Sequence, residues 1–159
     1  MKIISKLNIF DGFLKIFKVP NGGQKYLVFE EQNLITNASK QLLLQSIYLP
    51  DIVSDPISNL QVGVGGTIDP DGLYPKLEDP LQTSLTIPIL AVPVIAVPDL
   101  PNLLVTFVAD LDQSQGNGSL ITEVGMFKES GNIFNIKNHP GIPKTAEFSI
   151  HYEWTIKFL

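Results

Sequence analysis

The residues able to do chemistry are few in this 159-residue chain, and their spacing argues against most of it. There are two histidines and no cysteine, so disulfides and thiolate metal sites are excluded by composition. His139 precedes Pro140 and reads as a loop residue. His151 falls on the polar side of an alternating stretch and reads as a surface residue. They form neither H-x-H nor H-x-x-x-H, and no G-x-S-x-G elbow accompanies them. Asp69 and Asp71 look like the opening of a calcium loop, but the glycine and closing glutamate of that pattern are misplaced. Asp69-Pro70-Asp71-Gly72 therefore reads as a turn. Gly63-Val64-Gly65-Gly66 is followed by no G-K-[ST] and opens no helix, so it reads as a strand leaving its sheet through a tight bend. The N-x-S sequons at Asn37 and Asn117 matter only in a secretory pathway. No catalytic, metal or cofactor-binding residue emerges, and the chain reads as a non-enzyme.

The elements around these residues read as strands. From Phe148 to Phe158 every even position (Phe148, Ile150, Tyr152, Trp154, Ile156 and Phe158) is large and apolar, while the odd positions are polar. That period of two predicts a strand with a buried face, so these six residues are the expected core. Leu14–Val19 and Tyr26–Phe29 flank Pro20-Asn21-Gly22-Gly23 as a hairpin. Further strands are predicted at 60–64, 103–109, 121–128 and 132–137, the last two joined across Ser130-Gly131. One helix is expected from Ala38 to Ile47, capped by Thr36 or Asn37 and ended before Pro50. Residues 73–84 and 113–119 read as surface loops. The expected fold is all-β: an antiparallel sandwich or jelly roll of seven or eight strands, with a short helix packed on the sheet.

One segment stands apart. Pro88-Ile89-Leu90-Ala91-Val92 and Pro93-Val94-Ile95-Ala96-Val97 form a near-repeat, continued by Pro98. Proline every fifth residue removes ladder donors and holds the chain extended, while the other side chains are apolar. Two homes remain open: a sheet edge or crossover closing the sandwich, or a contact strip against a neighbouring subunit. In the second case Pro88, Ile89, Leu90, Val92, Pro93, Val94, Ile95, Val97 and Pro98 are the interface.

Composition bounds the rest. One domain over 1–159 is expected, with an N-terminal arm at 1–12 and the proline-rich strip at 85–101. The chain is 44% hydrophobic and only 17% charged, below the roughly one quarter charged in a globular domain. Its mean hydropathy is +0.18. Two readings fit this balance: apolar surface covered by a partner, which is favoured, or a core-rich β protein with a polar but uncharged surface. A net charge of −5 with scattered lysines argues against nucleic acid. No apolar run reaches the roughly 20 residues that span a bilayer, and the start, MKIISKLNIF, is too polar for a signal peptide. Synthesis in a cytoplasm is expected.

Four stretches, in order, carry a family likeness. They are Asn33-Leu34-Ile35-Thr36-Asn37; Val62-Gly63-Val64-Gly65-Gly66-Thr67; Ile121-Thr122-Glu123-Val124-Gly125-Met126-Phe127 followed by Gly131–Phe134; and Ile142-Pro143-Lys144 leading to Trp154–Phe158. Together they resemble a class of tailed-bacteriophage virion proteins, small β-sandwiches of tails, baseplates and fibres. The likeness spans about residues 33–67 and 103–159 and leaves out the arm and residues 73–101. It implies a structural part of a virion, made in the bacterial cytoplasm and joined by symmetric contacts in the tail, baseplate or fibre attachment. Its partners are then further copies, a trimer being favoured, and other virion proteins. The alternative is a capsid cement or decoration protein. A host-glycan module is a weaker reading, because the aromatics it needs (Tyr48, Tyr74 and Phe134) are dispersed.

Overall fold

A computed structural model describes residues 10–41 and 54–158. Among the described residues ten antiparallel strands form two five-stranded sheets, which is the all-β sandwich the alternation predicts. The first sheet contains β1 (Phe10–Pro20), β2 (Tyr26–Gln32), β6 (Ile95–Asp99), β7 (Leu104–Leu111) and β10 (Phe148–Phe158), in the order β2-β1-β10-β7-β6. The second contains β3 (Leu34–Ile35), β4 (Ile57–Gly63), β5 (Pro88–Pro93), β8 (Leu120–Lys128) and β9 (Ile133–Pro143), in the order β3-β9-β8-β4-β5.

β10 is the central strand of its sheet. Trp154 stands opposite Leu14 of β1 and Phe107 of β7, and Tyr152 opposite Ile16 and Ala109. Ile150, Tyr152 and Trp154 are fully buried, and Ile156 nearly so. Phe148 is half-buried and packs on this core. Phe158, the last residue of β10, is 47% exposed; it stands opposite Phe10 of β1, and its N–H donates to Leu103 O at 2.9 Å just before the start of β7. The facing sheet supplies Leu60, Val62, Val124 and Met126 to the same core.

Three expectations change. Of the N-terminal arm, Phe10, Asp11 and Gly12 belong to β1, and residues 1–9 lie outside the described residues. Of the helix, residues 37–41 are helical with Thr36 as cap, its Oγ1 accepting from Ser39 N at 3.4 Å, while 42–47 lie outside the described residues. The strand count exceeds eight because β3 is short and because the proline repeat forms two strands. The chain passes directly from β5 at one sheet's edge to β6 at the other's, turning at Val94. Prolines are tolerated there because an edge strand needs ladder donors on one side only.

Trp154→Ala removes the largest buried side chain from the middle of β10. It should destabilise the fold by about 3–5 kcal/mol, measured by urea unfolding. A loss under about 1 kcal/mol is inconsistent with this packing.

Candidate functional site

The stretches that carry the family likeness meet each other in the fold. β8 is buried along almost its whole length because both its faces are covered. One face lies on the central core. The other is covered by the excursion of residues 64–87, whose Leu85 packs with Phe127, Ile133 and Ile136 in a second apolar cluster. Beneath that excursion sits Glu123, fully buried. Its carboxylate accepts Gly65 N–H at 3.0 Å, Ile87 N–H at 2.8 Å and Thr86 N–H at 2.9 Å. The neighbouring Thr122 Oγ1 accepts Gly66 N–H at 2.9 Å. Thr122 and Glu123 thus clasp both ends of the excursion onto β8. Glycine is required where the backbones touch: a Cβ on Gly66 would lie 2.1 Å from Thr122 O.

Asn33–Asn37 meets Gly131–Phe134 in the same manner. Thr36 N–H donates to Phe134 O at 3.1 Å, and Ser39 Oγ donates to Ile133 O at 3.3 Å. Lys144 closes the fourth stretch. Its buried ammonium donates to Thr145 O at 2.8 Å and Asn117 Oδ1 at 3.0 Å, which anchors the 112–119 loop. Burial lowers its pKa, opposed by nearby Asp112.

The chemistry-bearing residues hold structure together. Asp69 accepts Leu73 N–H at 2.9 Å and Tyr74 N–H at 2.7 Å, bonds that lower its pKa and make the expected turn. His151 lies on the outer face of β10 between Asp110 at 2.7 Å and Glu153 at 3.2 Å. His139 departs from the loop reading: it lies within β9 and is fully buried. A register shift between Ile121 and Glu123 of β8 absorbs His139–Gly141 as a bulge, so Pro140 interrupts no pairing. His139 Nδ1 lies 2.8 Å from Pro140 O, and its ring packs 5.5 Å from Phe29. Burial lowers its pKa to about 4, against the Pro140 carbonyl. Among the described residues no cluster of three or more His, Asp or Glu is arranged to hold a metal. Of the aromatics weighed for sugar binding, Tyr74 is exposed, Phe134 packs on the core and Tyr48 lies outside the described residues.

The proline repeat divides between core and surface. Val92 is buried, and Leu90 and Val94 pack against the core. Pro88, Ile89, Pro93, Ile95, Val97 and Pro98 are exposed. Ile95 and Val97 are 67% and 52% exposed, and the β6–β7 turn adds Leu100 and Leu103 at 77% and 62%. Leu103 has φ 54°, a left-handed conformation unusual for a bulky side chain.

The clasp was not singled out from sequence, although two adjacent polar residues inside the apolar run 121–127 are its signal. No family model, curated protein or solved structure matches this chain.

Two outcomes test this arrangement. Glu123→Gln keeps the shape but loses a charged acceptor, and should cost about 2 kcal/mol. Hydrogen exchange should accelerate selectively at the amides of Gly65, Thr86 and Ile87. For His139, the folded pKa lies below the unfolded one, so the unfolded chain takes up the proton first. The stability this confers is complete above about pH 6.5 and is lost as pH falls towards 4, by about 2 kcal/mol between pH 7 and 5. Urea melts at stepped pH measure it, and His139→Gln should flatten the slope.

Proposed function

We propose that this chain is a structural building block of a tailed-phage virion, held in the tail, baseplate or fibre attachment by side-chain contacts along its proline-bearing edge. One observation carries the reading: the edge formed by β5, β6 and the β6–β7 turn exposes Ile89, Ile95, Val97, Leu100 and Leu103 together. Single exposed apolar side chains need no explanation, but five of them within residues 89–103 make that segment a candidate contact surface. Leu103 strengthens it. A bulky leucine is strained and exposed in a turn where glycine would fit without penalty, which suits a residue kept for what it touches.

The mode of contact follows from the prolines. Pro88, Pro93 and Pro98 deny donors to a strand arriving at this edge, so a partner docks on side chains here and does not extend the sheet. The family likeness supplies the setting: its stretches build the clasp and the core, and assembly falls to the regions outside it.

The test uses particles purified from the phage or prophage that encodes the chain. Ile95→Asp with Val97→Asp should reduce incorporation at least tenfold and leave circular dichroism and melting unchanged, because both side chains point away from the core. Val94 is unsuitable for this purpose, since it packs inward. Normal incorporation of the double variant overturns the edge as interface. Imaging that places the chain on the head lattice replaces the tail reading with capsid decoration.

A further inference from the structure

The dipeptide Asn-Gly occurs at Asn21-Gly22 and at Asn117-Gly118, and the fold treats the two pairs differently. The pair matters chemically because the peptide nitrogen after an asparagine can attack that residue's own carboxamide. Glycine permits this best, since it has no Cβ to crowd the closing five-membered ring. Both glycines are open in this sense. A Cβ on Gly22 or Gly118 would meet nothing within 4 Å, and their φ angles are 68° and 80°. Space does not distinguish the sites, but hydrogen bonding does.

At Asn117 every group the reaction uses is already held. The Lys144 ammonium donates to Oδ1 at 3.0 Å, and Nδ2 donates to Gln113 O at 2.8 Å. The attacking nitrogen is tied as well, since Gly118 N–H donates to Lys144 O at 2.9 Å. To bring Cγ over that nitrogen the side chain must break both of its bonds, one of them charge-assisted and made by a buried lysine.

Asn21 lies in the exposed turn between β1 and β2. Gly23 N–H donates to Pro20 O at 3.0 Å across it, and the positive φ of Gly22 makes it a type II turn. Gly22 N–H has no acceptor among the described residues. The Asn21 carboxamide is held by one long bond, from Nδ2 to Ala146 O at 3.4 Å. Hydroxide and water reach Asn21 and Gly22 alike, because both are exposed.

We infer that Asn21 is a site of spontaneous deamidation in the folded protein, and that Lys144 protects Asn117 from the same reaction. The Gly22 amide gives its proton to hydroxide, and its nitrogen attacks Asn21 Cγ. The N–Cγ bond forms, the Cγ–Nδ2 bond breaks, and Nδ2 leaves as ammonia with a proton taken from water. A further water opens the succinimide at either carbonyl, giving aspartate or isoaspartate. Either product places a new negative charge beside residue 147, whose carbonyl accepts Asn21 N–H at 3.1 Å. Isoaspartate also lengthens the main chain by one carbon, which the turn cannot absorb unchanged. The inference stands apart from the building-block reading.

The test incubates the folded chain and the urea-unfolded chain in mildly alkaline buffer. Each event adds about 1 Da, and peptide mapping with an isoaspartate-specific methyltransferase locates it. In the folded chain Asn21 should react at least tenfold faster than Asn117. In urea the two should react at similar rates, since the dipeptide is shared and the hydrogen bonds are gone. Lys144→Met, checked for folding by circular dichroism, should speed Asn117 about tenfold and leave Asn21 unchanged. Should that variant not fold, the urea comparison decides. Equal rates in the folded chain, no reaction at Asn21, or a ratio that survives in urea overturns the inference. A folded Lys144→Met chain in which Asn117 slows or keeps its rate overturns the protective role of Lys144.

Discussion

The fold depends on covering both faces of β8. A two-sheet sandwich buries one face of each sheet, yet β8 runs buried from Ile121 to Lys128 and places a carboxylate on its outer side. A buried carboxylate without compensation costs several kcal/mol, so Glu123 demands donors. The excursion of residues 64–87 provides them as backbone N–H groups at both of its ends. Leu85 then seals the apolar patch made by Phe127, Ile133 and Ile136. The partial third layer is therefore a consequence of one residue's charge and its neighbours' apolarity. It also fixes where β4 ends and β5 begins, and so positions the proline edge.

Both lateral edges arise from the chain stepping from one sheet to the other, at Asn33 between β2 and β3 and at Val94 between β5 and β6. The two crossings leave unequal strands behind. Proline blunts β5 and β6 as hydrogen-bonding templates, and their exposed side chains remain available. β2 keeps its outward backbone groups and acidic side chains. A single sandwich thus has two lateral edges of unlike chemistry.

How much of this was legible in the sequence varies with the range of the interactions involved. The alternation of β10 located Ile150, Tyr152, Trp154 and Ile156 in the core, since a period of two is a local property of the strand. It could not report that Phe158 is exposed, which depends on how the neighbouring strands end. His139 read as a loop residue because Pro140 follows it. A bulge in the β8–β9 hairpin, set by how the two strands pair, accommodates that proline. The proline repeat presented an edge and an interface as alternatives, but Val92 turns inward and Ile95 outward within one segment. The clasp was least visible: Thr122 and Glu123 are ordinary polar residues until the glycines arrive opposite them.

The low charge of the surface follows from the same economy of contacts. Several charged groups are consumed inside the fold: Glu123 by amides, Lys144 by loop oxygens, and Lys128 by burial, with Asp55 3.8 Å away. Asp69, Asp112 and Asp99 are occupied by turn amides. In the excursion, Glu78 accepts Asn138 N–H, and the Lys76 ammonium donates to Gly65 O. Beside Asp71 and Asp79, the side chains exposed there include Ile68, Leu73, Tyr74, Leu77 and Leu81, with Leu77 96% exposed. The same hydrogen bonds hold the loop backbone in the conformation that exposes those side chains.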